Sequence, residues 1–208
     1  MNSEQCILVL DAMGVLYQAG DDVADLLVPF VRKQGGSTDA VVIGEYYRAA
    51  SLGELSSDAF WISVGLSPSV EDEYLQEHAL MPGAYNFLEA EGKRFAGVCC
   101  LSNDVGDWSL KLRRRFRLDH LIGRWFISSD IGLRKPDPRI YQWLIATLGT
   151  EAEHIIFVDD RRANVEAAAR EHLTAIHFGD HRGTRSGDIL TTRSFDDLRT
   201  LIESLPSK

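Results

Sequence analysis

Six polar side chains stand where apolar runs stop. Asp11 ends the run Cys6 to Leu10, Ser102 and Asn103 follow Phe95 to Leu101, and the pair Asp159-Asp160 follows His154 to Val158. Lys135 lies in the loop GLRKPDP, just beyond the run Trp125 to Ser128. Three carboxylates brought together would repel one another strongly unless a cation sits among them. Oxygen ligands with no His or Cys nearby favour a hard cation, and Mg²⁺ with several waters retained fits best. Lys135 adds fixed positive charge, Ser102 a hydroxyl and the adjoining loop backbone N–H groups. Together they suit a phosphoryl group better than a neutral ligand.

Parallel strands can bring such residues together, because they present their carboxyl ends on one edge of the sheet. Each apolar run is too short for a helix, is rich in β-formers and reads as a buried strand. Gly14 lets the backbone turn close to whatever Asp11 touches. From Phe95 onward the pattern alternates regularly. Strands at Phe95 to Leu101, Trp125 to Ser128, His154 to Val158 and Thr174 to Phe178 are separated by helices at Trp108 to Leu118, Pro138 to Leu148 and Val165 to His172. A closing helix runs from Phe195 to Leu205, and Asp180 to Arg193 reads as a polar loop. This alternation predicts an α/β fold, a doubly wound parallel sheet covered on both faces. Between the first strand and the second, helical patterning at Val23 to Lys33, Asp39 to Ala50, Ser56 to Val64 and Val70 to Leu80 is too long for a simple crossover. An inserted helical cap subdomain over residues 18–81 is therefore expected, with residues 1–17 and 82–208 forming the core.

Composition narrows the function. The 208 residues carry a formal net charge of −9, with 45% hydrophobic and 25% charged residues. That acidity argues against nucleic acid or anionic membrane as a partner. The one basic cluster, KLRRRFR at Lys111 to Arg117, is interleaved with apolar residues and reads as the exposed face of an amphipathic helix. Cys6, Cys99 and Cys100 sit inside apolar runs with no metal spacing, as small buried hydrophobes of a reducing compartment. Met1 to Gln5 has no basic n-region, and no apolar run reaches spanning length, so a cytoplasmic protein is expected. Monomer and homodimer both stay open.

The segments DAMGVLY (Asp11 to Tyr17), LSND (Leu101 to Asp104), LRKPDPRIY (Leu133 to Tyr141) and FVDDRRANVEAA (Phe157 to Ala168) resemble, in order and spacing, the four motifs of the haloacid dehalogenase-like superfamily. The Asp159-Asp160 pair followed by Asn164 is similar to its branch of sugar-phosphate phosphatases and the phosphatase domain of soluble epoxide hydrolase. The resemblance implies a Rossmann-like core and a Mg²⁺-dependent phosphohydrolase of small phosphorylated metabolites. It makes Asp11 the nucleophile that forms an aspartyl-phosphate. Ser102 and the Asn103 backbone would hold the transferring group, and Lys135 would neutralise charge on Asp11 and the phosphate. The metal would be bound by Asp11, by the backbone carbonyl of Met13 and by Asp160, with Asp159 as ligand or support.

One position departs from the pattern. Phosphatases of this superfamily carry a second aspartate two residues after the nucleophile, where it protonates the leaving oxygen and later activates water. Met13 stands there and can do neither, and such acid–base catalysis is worth about 10²–10⁴ in rate. A phosphohydrolase would then draw its proton from water or a cap group, with Glu45, Glu54 and His78 as candidates. The alternative is a catalytically degenerate member that binds a phosphorylated ligand or a partner without turnover. A dehalogenase-type hydrolase fits less well at Asp159-Asp160. A phosphonate-cleaving enzyme would need a cap lysine, and Lys33 alone is available. In the cap, Glu54, Asp58, Phe60 and Trp61 form a group in which the two aromatics read as the cap's own core.

Overall fold

The structure, a computed structural model, describes residues 5–179 and 189–205. Six parallel strands form one sheet in the order β3-β2-β1-β4-β5-β6. They are β1 (Ile7–Leu10), β2 (Gly97–Ser102), β3 (Arg124–Ile127), β4 (Ile155–Asp159), β5 (Thr174–Phe178) and β6 (Leu190–Thr192). The chain builds outward from β1 to β3, then returns to the other side of β1 as β4. This is the doubly wound α/β arrangement expected, and its topological switch lies between β1 and β4. Strand residues alternate between two cores. Leu8, Leu10, Cys100, Ile156 and Val158 face one, while Val9, Cys99, Leu101, Ile155 and Phe157 face the other. Burial on both faces explains why these strands read as unbroken apolar runs.

The core helices are α5 (Ala84–Glu91), α6 (Gly106–Arg115), the short α7 (Ser128–Ile131), α8 (Pro138–Leu148), α9 (Arg162–Arg170) and α10 (Phe195–Ser204). Their ends follow local chemistry. Asp137 caps α8 by accepting the Arg139 N–H at 2.9 Å, Pro138 fills the first turn, and Gly149 ends the helix at φ +65°. On α6, Leu112 points inward and Lys111, Arg114 and Arg115 are exposed, which is the amphipathic face expected of the basic cluster. All three cysteines are buried and form no disulfide.

Four short helices separate β1 from α5: α1 (Val28–Lys33), preceded by a π-helical turn at Val23–Leu27, α2 (Ala40–Ala50), α3 (Ser57–Ser63) and α4 (Glu71–Gln76). Asp39 caps α2 by accepting the Val41 N–H at 2.9 Å, and Ser56 caps α3 by accepting the Ala59 N–H at 3.2 Å. The insertion packs on the core through an aromatic cluster. Trp61 on α3 and Tyr74 on α4 meet Trp108 on α6 with ring centroids 5.4 and 5.1 Å apart. Phe60 and Trp61 are fully buried, and they pack against the core helix as well as among themselves.

Two expectations are corrected. The helix expected over Val70 to Leu80 stops at Gln76, because the following backbone pairs with the segment after the nucleophile: Gln18 N–H donates to the Ala79 carbonyl at 3.0 Å and Met81 N–H to that of Leu16 at 2.8 Å. Tertiary pairing overrides a helical pattern here. The polar loop expected over Asp180 to Arg193 falls partly outside the described residues, yet Leu190–Thr192 is a strand added beside β5. Three residues on a sheet edge are too few to show periodicity. Among the described residues, no helix is long and apolar enough to cross a membrane.

Candidate active site

Strand register sets the heart of the site. Leu10 of β1 pairs with Val158 of β4, and the Asp11 N–H donates to the Val158 carbonyl at 2.9 Å. The next residue along each strand is a carboxylate, so Asp11 and Asp159 stand side by side at the switch point. On the other flank Leu10 pairs with Cys100, which brings Leu101 and Ser102 alongside Asp11.

Lys135 fills the gap between the acids. Its Nζ lies 2.8 Å from Asp11 Oδ1 and 2.7 Å from Asp159 Oδ2, and it donates to the Leu101 carbonyl at 2.7 Å. Burial alone would lower the pKa of this amine, but the two carboxylates outweigh it and hold the amine protonated. The lysine loop is fixed by Asn103, whose side-chain amide accepts the Lys135 N–H and donates to its carbonyl, both at 2.8 Å. Asp159 is saturated: Arg161 N–H donates to Oδ1 at 2.8 Å, and Asn164 Nδ2 reaches Oδ1 and Oδ2 at 2.9 and 3.0 Å.

Asp160 is not. Its Oδ1 is buried with no hydrogen-bond partner among the described residues. Burial, then the charge of Asp159, pushes its pKa up to about 7. The same two causes raise Asp11 well above the carboxylate range, against the pull of Lys135. Ligand oxygens of Asp11, Asp159 and Asp160 lie within 4.8 Å of one another. One ammonium therefore faces three carboxylates, and the orphaned oxygen of Asp160 marks where further positive charge fits. An all-oxygen set of this kind suits a hard divalent ion.

A cavity of about 300 Å³ opens onto Asp11. Met13, Ser102, Asn103 and Asn164 line it from the core, with Arg134 and Arg161 beside them, and the insertion contributes Asp22, Gly44, Tyr47 and Arg48. Ser102 Oγ is buried and has no partner among the described residues, so its hydroxyl is free for a ligand. Arg134 lies with its guanidinium carbon 5.6 Å from the centre of the Tyr47 ring, and its buried Nη1 is likewise unpaired.

The chain over residues 7–172 matches the family model of haloacid dehalogenase-like hydrolases. The chain belongs to that family. Among its curated relatives is the phosphoglycolate phosphatase of Pseudomonas savastanoi pv. phaseolicola, 27% identical over 62% of this chain and 49% of that protein. The chain thus spans about half the length of such relatives. Solved structures of haloacid dehalogenase-like proteins share the fold. A family enzyme of Bacteroides thetaiotaomicron, in complex with magnesium and inorganic phosphate, has a TM-score of 0.70 at 16% identity, covering 86% of this chain and 96% of that one. The L-2-haloacid dehalogenase of Xanthobacter autotrophicus has a TM-score of 0.69 at 15% identity, covering 96% and 99%. One scaffold therefore serves both a dehalogenase and an enzyme that binds magnesium and phosphate, and the fold alone does not choose between their activities.

The structure brings Asp11, Met13, Ser102, Asn103, Lys135, Asp159 and Asp160 into one crevice. It does not bring in the insertion's candidate proton donors. Glu45 and Glu54 are exposed and do not line the cavity. His78 is buried against Tyr17 and Tyr74, where desolvation lowers its pKa to about 4, and it too lies off the cavity. Lys33 is exposed beside Glu77, at 3.8 Å. The cavity residues that sequence reasoning missed include Asp22, Tyr47, Arg48, Arg134 and Arg161. Asp22 follows the exposed Asp21, and nothing in a one-dimensional pattern separates a buried acid from its exposed neighbour.

Proposed function

We propose that this chain is a Mg²⁺-dependent phosphohydrolase of a small phosphorylated metabolite, working through an aspartyl-phosphate on Asp11 beneath a helical cap formed by residues 18–81. The observation that carries it is the placement of Lys135 between Asp11 and Asp159, next to the unpartnered Asp160 and Ser102 oxygens. Asp11 and Asp160 would hold the ion with the Met13 carbonyl, since Asp159 already spends both oxygens on Lys135, Asn164 and Arg161. Bound there, Mg²⁺ would offset the excess negative charge and polarise a phosphoryl oxygen. Lys135 favours the ionised form of Asp11 against the pull of burial and aims its carboxylate, Ser102 Oγ offers a donor to a phosphoryl oxygen, and Asn103 fixes the loop that carries Lys135. A cavity of about 300 Å³, with Arg48 and Arg134 in its lining, suits a compact anion.

The test is hydrolysis of nitrophenyl phosphate and acetyl phosphate with Mg²⁺ and with EDTA. Turnover that needs the metal and is lost in Asp11→Asn supports the reading. Met13 favours a second one, a phosphate-binding protein without turnover. Phosphate binding measured by calorimetry with no hydrolysis of either substrate would establish that reading instead.

A further inference from the structure

Met13 leaves phosphoryl transfer without a proton donor beside the nucleophile, and an alkoxide leaving group needs one. Three carboxyls line the Asp11 cavity: Asp11, Asp21 and Asp22. Asp11 is held by Lys135. Asp21 is exposed, 3.7 Å from Arg161, and accepts the Ala24 N–H at the start of the insertion. Asp22 differs from both. It is 4% exposed, and its Oδ2 lies 3.0 Å from the Tyr47 hydroxyl.

That hydroxyl also lies 3.0 Å from the carbonyl of Asn103, in the loop after β2. The hydroxyl shares its one proton between the two acceptors and so holds the Asp22 carboxyl by Oδ2, which leaves Oδ1 to carry the proton. Burial pushes the Asp22 carboxyl above its usual range. Asp21 and Asp104 favour the protonated form, while the Tyr47 hydrogen bond, Arg161 and Arg134 keep a negative form within reach.

We infer that Asp22 supplies the proton that Met13 cannot, as general acid toward the leaving oxygen and then as general base toward water, with Tyr47 as its positioning residue. The inference rests on the phosphohydrolase reading. In the first step an Asp11 carboxylate oxygen bonds to phosphorus, the bond from phosphorus to the ester oxygen breaks, and that oxygen takes the proton of Asp22. In the second, Asp22 accepts a proton from the water that attacks phosphorus. The bond between phosphorus and Asp11 breaks, inorganic phosphate leaves, and Asp11 and protonated Asp22 are restored.

Asp22→Asn tests this, because asparagine keeps the shape and its side-chain oxygen can still accept from Tyr47. With Mg²⁺ present, kcat/KM of the variant on ethyl phosphate should fall about 10²- to 10⁴-fold, while on nitrophenyl phosphate, whose leaving group needs no proton, it should change only a few-fold. The decline of kcat/KM at high pH on ethyl phosphate should disappear, and adding Met13→Asp to the variant should restore the alkyl ester rate. Equal losses on both substrates, or no loss on ethyl phosphate, would overturn the inference. Should Asp22→Asn fail to fold, the unsubstituted protein decides the matter on a series of aryl and alkyl phosphates: a shallow dependence on leaving-group pKa supports a proton donor, and a steep one overturns it. Absence of turnover on every ester, nitrophenyl phosphate included, would instead sink the phosphohydrolase reading itself.

Discussion

The carboxyl group of Asp160 occupies the space that Gly14 leaves by having no side chain. A Cβ at Gly14 would lie 2.3 Å from both Asp160 Cγ and Oδ2, and the glycine sits at φ +76°. Gly14→Ala would therefore strain the backbone by about 1–2 kcal/mol and push Asp160 out of the acidic cluster. The expected outcome is a folded variant whose melting temperature no longer rises on adding Mg²⁺. Calorimetric scans with Mg²⁺ and with EDTA check this, and an undiminished metal-dependent rise would refute it.

Lys135 is the counter-charge of a buried site, so its removal has a cost independent of any reaction. Lys135→Met leaves Asp11 and Asp159 buried without their shared ammonium. Breaking a buried pair by deleting one partner typically costs about 3–5 kcal/mol. Urea denaturation at neutral pH should report a loss of that order. The loss should shrink when Asp159→Asn is added, because one unpaired charge is then gone; an additive double variant would contradict this account.

Much of the site was legible in the sequence because it depends on where strands end. Three apolar runs each stopped at a polar site residue, and parallel topology carried those residues to one edge, with Lys135 in a loop beyond a fourth run. Leu10 opposite Val158 then sets Asp11 beside Asp159. The insertion was less legible, since its residues are placed by tertiary contact. Leu80 lies in a segment of helical pattern, but its backbone bridges to Tyr17. His78 stood among the candidate acid–base groups and is held among aromatic rings, whereas Asp22 drew no attention and is buried in the cavity wall. Periodicity reports which face of a helix is apolar; it does not say which polar residue the neighbouring domain will cover.

Glu71 ties the insertion to the core. Its Oε2 accepts the indole N–H of Trp61 at 3.0 Å and of Trp108 at 2.8 Å, and its Oε1 lies 2.8 Å from Lys111 Nζ. Two buried indole donors lose their partner in Glu71→Ala. Hydrogen bonds to a charged acceptor contribute about 1.5–3 kcal/mol each. A loss of roughly 3 kcal/mol is expected in urea, together with a shift in tryptophan fluorescence as the cluster opens. Glu71→Gln should recover part of that, since its side-chain oxygen still accepts. If alanine proved as stable as glutamate, the two indoles would have to be satisfied by other groups.

The pH dependence of stability should carry the mark of His78. Desolvation lowers its pKa in the folded protein from 6.5 to about 4. Between those values the unfolded chain binds a proton that the folded chain refuses, so stability falls as pH drops through that window and the effect levels off below it. Each pKa unit corresponds to about 1.4 kcal/mol, which puts the full effect at roughly 3 kcal/mol. Asp11 and Asp160 act in the opposite sense, because their raised pKa values make the folded protein bind protons more readily over the same range. The net slope of the wild type therefore mixes both contributions, and a comparison isolates the histidine. In His78→Leu, urea denaturation from pH 7 to pH 4 in EDTA should show less acid destabilisation than the wild type. A variant curve parallel to the wild-type curve would mean that His78 takes up its proton in the folded protein as easily as in the unfolded one.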